Sequence, residues 1–118
     1  MYRLRVETRF DAAHKLEGYG GKCSRLHGHS WRVEIFITGQ RTDEIGMLLD
    51  YGILKEKLRE VTNRLDHSYI NDFTEIGNPT SENISKYIFK SLSKTLKDIH
   101  LEKVRVWENP ENWCEYFE

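Results

Sequence analysis

The sequence predicts an α+β fold in which two helices cover one face of a four-stranded antiparallel sheet. Two observations carry this prediction. Near both ends of the chain apolar and polar residues alternate, which is the period of a half-buried strand. Between these ends, apolar residues recur every three or four positions, which is the period of an amphipathic helix. The predicted order is therefore strand, strand, helix, helix, strand, strand.

The first two strands are predicted from segments 2–10 and 30–38, where apolar side chains alternate with charged ones. Side chains two residues apart lie on the same face of a strand, so each segment has one face suited to the core. In the second segment the core face comprises Trp31, Val33, Ile35 and Ile37.

The two helices are each preceded by a residue that can cap them, Asp50 for the first and Thr80 for the second. The apolar positions of the first helix are Tyr51, Leu54, Leu58, Val61 and Leu65. Those of the second are Ile84, Ile88, Leu92, Leu96 and Ile99. Segments 102–108 and 113–117 then predict two strands around a turn that contains the sequence NPEN.

Length and composition indicate a single globular domain over residues 1–118. Apolar residues make up 38% of the chain, and 18 basic against 19 acidic residues give a net charge of −1. We find no basic run that would favour nucleic acid, and no stretch near the roughly 20 apolar residues of a membrane span. The N-terminus lacks the apolar region of a secretory signal, and two widely separated cysteines make no disulfide framework. These features predict a cytoplasmic protein with reduced thiols.

Three of the five histidines stand at the facing ends of the first two strands. His27 and His29 are two residues apart, so their side chains share the face of Trp31. His14 follows the first strand and continues its apolar face if that strand runs on. A hairpin brings these ends together, so three imidazoles can converge as tetrahedral zinc requires. One core histidine beside two exposed ones is the alternative, but the paired spacing favours a metal site.

Two other positions permit both a functional and an ordinary interpretation. His67 follows Asp66, whose carboxylate can orient the imidazole for proton transfer, although a helix end also favours a histidine through the helix dipole. Glu108 continues an apolar strand face, where a carboxylate is costly unless it is paired. It either binds a donor on a ligand or emerges into solvent. His100 is predicted to be a solvated loop residue.

Cys23 lies in a glycine-rich loop, four residues before His27. Because thiolates bind zinc well, Cys23 is either the fourth ligand of a closed site or a reactive group beside an open one. Three histidines already supply the protein ligands typical of catalytic zinc. The glycines suit a segment that moves over a substrate, and Lys22 and Arg25 favour a thiolate. These points favour a base over a ligand.

Six motifs in order resemble the 6-pyruvoyl-tetrahydropterin synthase family, and more closely its bacterial and archaeal 6-carboxytetrahydropterin synthases. They are FDAAH, CSRLHGHSW, MLLDY, LDHSYIND, PTSEN and the glutamate of VWENP, and they span nearly the whole chain. The resemblance implies a T-fold, which is a four-stranded antiparallel sheet with two helices on one side. In this family three subunits close their sheets into a barrel. Two barrels would stack into a homohexamer with active sites between subunits. Open sheet edges, which invite pairing, agree with such an assembly.

The resemblance also implies a role for each candidate residue. The zinc ligands are matched by His14, His27 and His29. Cys23 matches the proton acceptor, and His67 matches a relay histidine that Asp66 supports. Glu108 matches the glutamate that anchors the pterin and joins the relay.

The implied reaction converts 7,8-dihydroneopterin triphosphate to 6-carboxy-5,6,7,8-tetrahydropterin, with release of triphosphate and acetaldehyde. This is a step toward the queuosine-type modified base of tRNA. The short gap between Cys23 and His27 is the prokaryotic form, which favours the carboxy product over the alternative, 6-pyruvoyl-tetrahydropterin. Outside the enzymes, the alternative is a non-catalytic zinc-binding module in which Cys23 is the fourth ligand.

Overall fold

The computed structural model describes residues 1–118 and confirms the α+β class, with two helices packed on one face of a mostly antiparallel sheet. No helix is long and apolar enough to cross a membrane. The elements are β1 (Tyr2–His14), β2 (His27–Gly39), α1 (Tyr51–Leu65), β3 (Ser68–Tyr69), α2 (Ser81–Ser93), β4 (His100–Asn109) and β5 (Asn112–Tyr116).

The sheet has five strands in the order β3-β1-β2-β4-β5, so the predicted count of four is wrong by one. The additional strand, β3, has two residues and runs parallel to β1 beside Ala12 and Ala13. His67 precedes it with a φ of 55°, and its backbone N–H donates to the Asp11 carbonyl oxygen (2.6 Å). This turn directs the chain from the end of α1 onto the edge of β1.

Both predicted caps form. The Asp50 carboxylate accepts a hydrogen bond from the Gly52 N–H (2.6 Å), and the Thr80 hydroxyl accepts one from the Asn83 N–H (3.1 Å). The predicted stripe of the second helix extends beyond the helix itself, which ends at Ser93. Beyond that point a tighter turn replaces the helix, although Leu96 still packs into the core at 5% exposure.

The cap of α1 gives a first prediction for stability. We expect Asp50→Ala to lower the free energy of unfolding by about 1 kcal/mol, because the Gly52 N–H loses its acceptor. Asp50→Asn keeps an acceptor oxygen and serves as the matched control. Urea unfolding of the two variants measures the difference, and equal stabilities would show that the cap contributes nothing.

The core lies between the helices and the inner face of the sheet. The predicted inward residues of β2 are all fully buried, whereas Tyr51 at the first position of α1 is 63% exposed and lies outside the core. The outer face of the sheet carries ion pairs around Glu34, which is 2% exposed and contacts Arg5, Arg105 and the Trp107 indole. The inner face ends at the three histidines, and there the candidate site lies.

Candidate active site

The three histidines meet at one end of the β1–β2 hairpin. β1 runs through His14, so its inward face continues from Phe10 to this residue, as predicted. In the register of the hairpin, His14 lies opposite His27 and Ala12 lies opposite His29. The three rings pack against one another, and the His14 side chain is 1% exposed.

Two of the rings are fixed by backbone carbonyl groups. His14 Nδ1 donates to the Pro79 carbonyl oxygen (2.8 Å), and His27 Nδ1 donates to that of Arg25 (2.6 Å). Since a carbonyl oxygen only accepts, each Nδ1 carries the hydrogen and each neutral ring keeps a lone pair on Nε2. These two Nε2 atoms are 3.0 Å apart, so two lone pairs face each other across a distance that requires a cation or a proton between them.

The third ring and Glu108 complete the group. His29 Nε2 is buried without a hydrogen-bond partner, and Glu108 Oε1 lies 3.2 Å from it, outside hydrogen-bonding geometry. The same oxygen is 3.4 Å from His14 Nε2. One ligand atom from each of these side chains and from His27 lies within 4.8 Å of all the others. Three imidazole nitrogens and a carboxylate oxygen are donors that suit a divalent transition metal, so the residues fit a zinc ion.

Burial favours the neutral form of two of these histidines. Removal from water lowers the pKa of His14 and of His29 below the ordinary value of 6.5, although the Glu108 carboxylate opposes the shift in both. A histidine must be neutral to bind a metal, so the lowered pKa values favour binding at and below neutral pH.

The same shifts predict how the metal-free protein responds to acid. Below pH 6.5 the unfolded chain protonates these histidines more readily than the folded chain does. Their contribution to stability is therefore present above that pH and is lost as the pH falls through the lowered pKa values of the folded state. Thermal unfolding in a chelator between about pH 8 and pH 5 measures this loss. The double variant His14→Gln, His29→Gln should show a flatter dependence, and an equal slope would contradict the explanation.

The Glu108 carboxylate therefore faces two of the three histidines, which favours the paired interpretation over a carboxylate that only emerges into solvent at the strand end. Its side chain is 27% exposed, and β4 brings it beside the ends of β1 and β2. Its predicted role as the anchor of a pterin stays a prediction, because the same carboxylate also lies within reach of a metal.

Cys23 stands apart from the four grouped side chains. It is half-buried in a short 3-10 helix, Lys22–Ser24, and it is absent from the set of mutually close donor atoms. Its carbonyl oxygen accepts a hydrogen bond from the Leu16 N–H (2.8 Å). In this conformation the thiol is therefore not one of four converging ligands, and its role as a base stays a prediction.

Asp66 and His67 form a second polar group at the β3 edge. Asp66 Oδ2 lies 2.9 Å from His67 Nδ1, and Asp66 Oδ1 accepts from the Asp11 N–H (2.9 Å). The Asp11 N–H, followed by His67, lowers the pKa of the Asp66 carboxyl, so the carboxylate is ionised and can orient the imidazole. His67 is 81% exposed and free to meet a ligand or another subunit.

No hydrogen bond joins His67 and Cys23 within one chain, and Cys23 is not in the group of close donor atoms formed by Asp11, Asp66 and His67. The His67 N–H donates to the Asp11 carbonyl oxygen, and the Cys23 carbonyl oxygen accepts from the Leu16 N–H. Asp11 and Leu16 are five residues apart, which corresponds to about 16 Å of extended backbone. A relay that uses both residues therefore requires another subunit or a movement of the loop.

Sequence reasoning missed the contribution of Asp11. Its N–H holds Asp66, its carbonyl oxygen holds His67, and its carboxylate accepts from the Ser30 hydroxyl (2.6 Å). These partners are 19 to 56 residues away in sequence, so no local pattern could have indicated them. The remaining histidine, His100, is the exposed first residue of β4, not a loop residue, and contacts the Thr38 hydroxyl (2.7 Å).

Comparison with known proteins identifies the family. The family model described as 6-pyruvoyl tetrahydropterin synthase matches residues 3–118. The chain belongs to this family. A protein of Archaeoglobus fulgidus is 41% identical to it, over 93% of this chain and 90% of its own length. A protein of Synechocystis sp. named 6-carboxy-5,6,7,8-tetrahydropterin synthase is 38% identical, over 99% of this chain and 94% of its own.

A solved structure agrees with the family assignment. The 6-pyruvoyl tetrahydropterin synthase of Caenorhabditis elegans superposes with a TM-score of 0.88 at 26% identity, covering 99% of this chain and 95% of that one. The predicted T-fold is thereby confirmed, as is the prediction that this chain is an enzyme of the tetrahydropterin synthase family.

Proposed function

We propose that this tetrahydropterin synthase family member is a zinc-dependent 6-carboxy-5,6,7,8-tetrahydropterin synthase. It would act in the cytoplasm on 7,8-dihydroneopterin triphosphate and release acetaldehyde and triphosphate. The observation that carries the proposal is the group formed by His14, His27, His29 and Glu108, in which three imidazole nitrogens and a carboxylate oxygen lie within 4.8 Å of one another. The name of the Synechocystis relative supports the carboxy product.

The side chains of the site divide the chemistry among three roles: metal binding, pterin binding and proton removal. Zinc held by His14, His27 and His29 would supply a Lewis acid for the side-chain oxygens of the substrate. Glu108 offers two carboxylate oxygens, which match the N3–H and 2-amino group of a pterin ring. Cys23 would remove a proton from the substrate side chain.

The second proton-transfer group is the Asp66–His67 pair. Its ionised carboxylate holds the imidazole by Nδ1, which leaves Nε2 to exchange a proton with the substrate or with Cys23 of another subunit. We therefore propose a homohexamer with active sites between subunits. The short β3 and the five-residue β5 leave both edges of the sheet open to pairing.

Two other functions remain as candidates, a pyruvoyl-forming enzyme and a non-catalytic zinc module. The similar Caenorhabditis elegans protein is a 6-pyruvoyl tetrahydropterin synthase, so a pyruvoyl product is the second candidate within the family. A non-catalytic zinc module with Cys23 as fourth ligand is disfavoured, because Glu108, and not Cys23, lies with the three histidines.

Incubation with 7,8-dihydroneopterin triphosphate and mass analysis of the products tests the proposal. We expect 6-carboxy-5,6,7,8-tetrahydropterin and acetaldehyde in equal amounts. Formation of 6-pyruvoyl-tetrahydropterin without acetaldehyde would favour the second candidate. Recovery of unchanged substrate from protein with a full complement of zinc would contradict both.

The pterin anchor gives a separate prediction. We expect Glu108→Ala to leave the zinc content unchanged and to weaken pterin binding by about 2–5 kcal/mol, because the ring loses a charge-assisted pair of hydrogen bonds. Calorimetry with a pterin measures the affinity. Glu111→Ala, in the exposed β4–β5 turn, is the matched control. Loss of zinc from Glu108→Ala would instead make this carboxylate a fourth metal ligand.

A further inference from the structure

Two asparagine side chains hold the backbone immediately after β1. The Lys15 N–H donates to Asn71 Oδ1 (3.0 Å), and Asn71 Nδ2 donates to the Lys15 carbonyl oxygen (2.9 Å). The Glu17 N–H donates to Asn78 Oδ1 (2.9 Å), and Asn78 Nδ2 donates to the Glu17 carbonyl oxygen (3.1 Å). Each amide thus pairs with one residue through two hydrogen bonds, as a peptide group of a neighbouring strand would.

These amide pairs extend the edge of β1 beyond its last residue. Ala13 pairs with β3, and the two asparagine pairs follow at every second residue along the same edge. Leu16 lies between the two held residues, and its N–H donates toward Cys23, whose carbonyl oxygen accepts at 2.8 Å. The segment is therefore held by the asparagines and is itself bonded to the backbone of Cys23.

Asn78 also belongs to the turn that orients a metal ligand. Asn83 Nδ2, in the first turn of α2, donates to the Asn78 carbonyl oxygen (2.8 Å). The next residue, Pro79, provides the carbonyl oxygen that accepts from His14 Nδ1. One turn before α2 thus fixes a histidine of the metal group and, through Glu17, the base of the Cys23 loop.

The loop needs such external support because its own sequence restrains it weakly. Between Glu17 and Cys23 it contains three glycines, and Gly18 and Gly21 have φ values of 75° and 92°. Glycine has the largest backbone freedom to lose on ordering, so the segment gains little order from its own residues.

We propose that Asn71 and Asn78 are positioning residues that set the place of the Cys23 thiol relative to the histidine group. The inference deepens the proposed function, in which Cys23 removes a proton from the substrate. Neither asparagine needs to contact the substrate, since both act through the backbone of residues 15–17.

Asn71→Asp and Asn78→Asp test the proposal with almost no change in shape. Each replaces the Nδ2 donor with a carboxylate oxygen that faces a carbonyl oxygen. Asn63→Asp, on the exposed surface of α1, makes the same chemical change and is the matched control. We expect kcat to fall about tenfold to a hundredfold in the two test variants, with zinc content and KM unchanged, because a base displaced by about 1 Å loses efficiency. Equal kcat in the test and control variants would overturn the proposal.

A double-mutant cycle separates positioning from a merely structural role. In a Cys23→Ala background, Asn78→Asp should lower the residual kcat no further, because the group that it positions is already absent. Independent losses that multiply would overturn the proposal and make Asn78 a structural residue.

Alkylation of Cys23 by iodoacetamide gives a readout that does not depend on activity. In zinc-loaded protein at fixed pH, we expect the rate constant to rise at least about threefold in the test variants, because a released loop exposes the half-buried thiol. Peptide mass analysis separates Cys23 from Cys114. Asn78→Ser removes the pairing without adding a charge and replaces any aspartate variant that does not fold. An unchanged rate would overturn the proposal.

The role of Cys23 as the base and the hold of the two asparagines on its loop are tested by different results. If Cys23→Ala is fully active, Cys23 is not the base and the proposed function loses that residue. The alkylation rates still decide whether the asparagines hold the loop.

Discussion

Replacement of His14 by alanine is expected to abolish the proposed binding of zinc and, with it, turnover. His14 is the most buried of the three histidines, and the Pro79 carbonyl oxygen holds its Nδ1, so its Nε2 is fixed toward the other two rings. Since loss of a partner that only orients a ligand weakens metal binding by about 10- to 100-fold, loss of the ligand itself should weaken it by more. Elemental analysis after dialysis and a turnover assay measure the two effects.

The control for this experiment is His100→Ala. His100 is exposed, lies at the opposite end of the sheet and has a ring that hydrogen-bonds the Thr38 hydroxyl, so its removal should leave zinc binding and turnover unchanged. Circular dichroism checks the folding of the His14 variant, because none of the residues in the core between the sheet and the helices is changed by this substitution. Full activity of His14→Ala in metal-free buffer would contradict the assignment of the metal site.

Replacement of Cys23 by alanine is expected to lower turnover by about 10²–10⁴-fold, the usual contribution of a general base. Pterin binding should persist, because Cys23 is separate from the group that contains Glu108. Substrate turnover and calorimetry with a pterin measure the two properties on the same preparation.

The second cysteine supplies a matched control for this replacement. Cys114 is half-buried on β5, next to the Ser85 hydroxyl (3.8 Å), and Cys114→Ala should retain wild-type turnover. His67→Ala should resemble Cys23→Ala, since both would act in one proton-transfer chain. If Cys23→Ala turns over at the wild-type rate, another group removes the proton.

The sequence predicted well those parts of the fold in which a periodic pattern of apolar residues continues over many positions. Nine or more alternating residues define each of the first two strands, and a cap precedes each helix. β3 could not be predicted in this way, because two residues have no period and their pairing depends on the turn at His67. The end of α2 was predicted too late, because Leu96 and Ile99 keep the apolar spacing after the helix itself has ended at Ser93.

The site was predictable to the extent that it depends on one hairpin. The face shared by His27 and His29 follows from strand geometry, and the position of His14 follows from the hairpin that joins the strands. The place of Glu108 was left open, because periodicity gives the face of a strand but not its neighbour in the sheet.

The supporting contacts were beyond the reach of sequence analysis for a different reason. The Pro79 and Arg25 carbonyl oxygens fix the tautomers of the histidines through backbone atoms that every residue possesses. The amides of Asn71 and Asn78 reach residues that are more than fifty positions away. Contacts of this kind leave no local pattern.

The zinc content of Cys23→Ala, measured by elemental analysis, tests the central claim most directly. An open metal site with Cys23 outside it predicts one zinc per chain, as in the wild type and in His67→Ala, together with the loss of turnover. If Cys23→Ala is depleted of zinc while His67→Ala is not, the cysteine is a ligand of a closed site. The enzyme then lacks the base proposed for it.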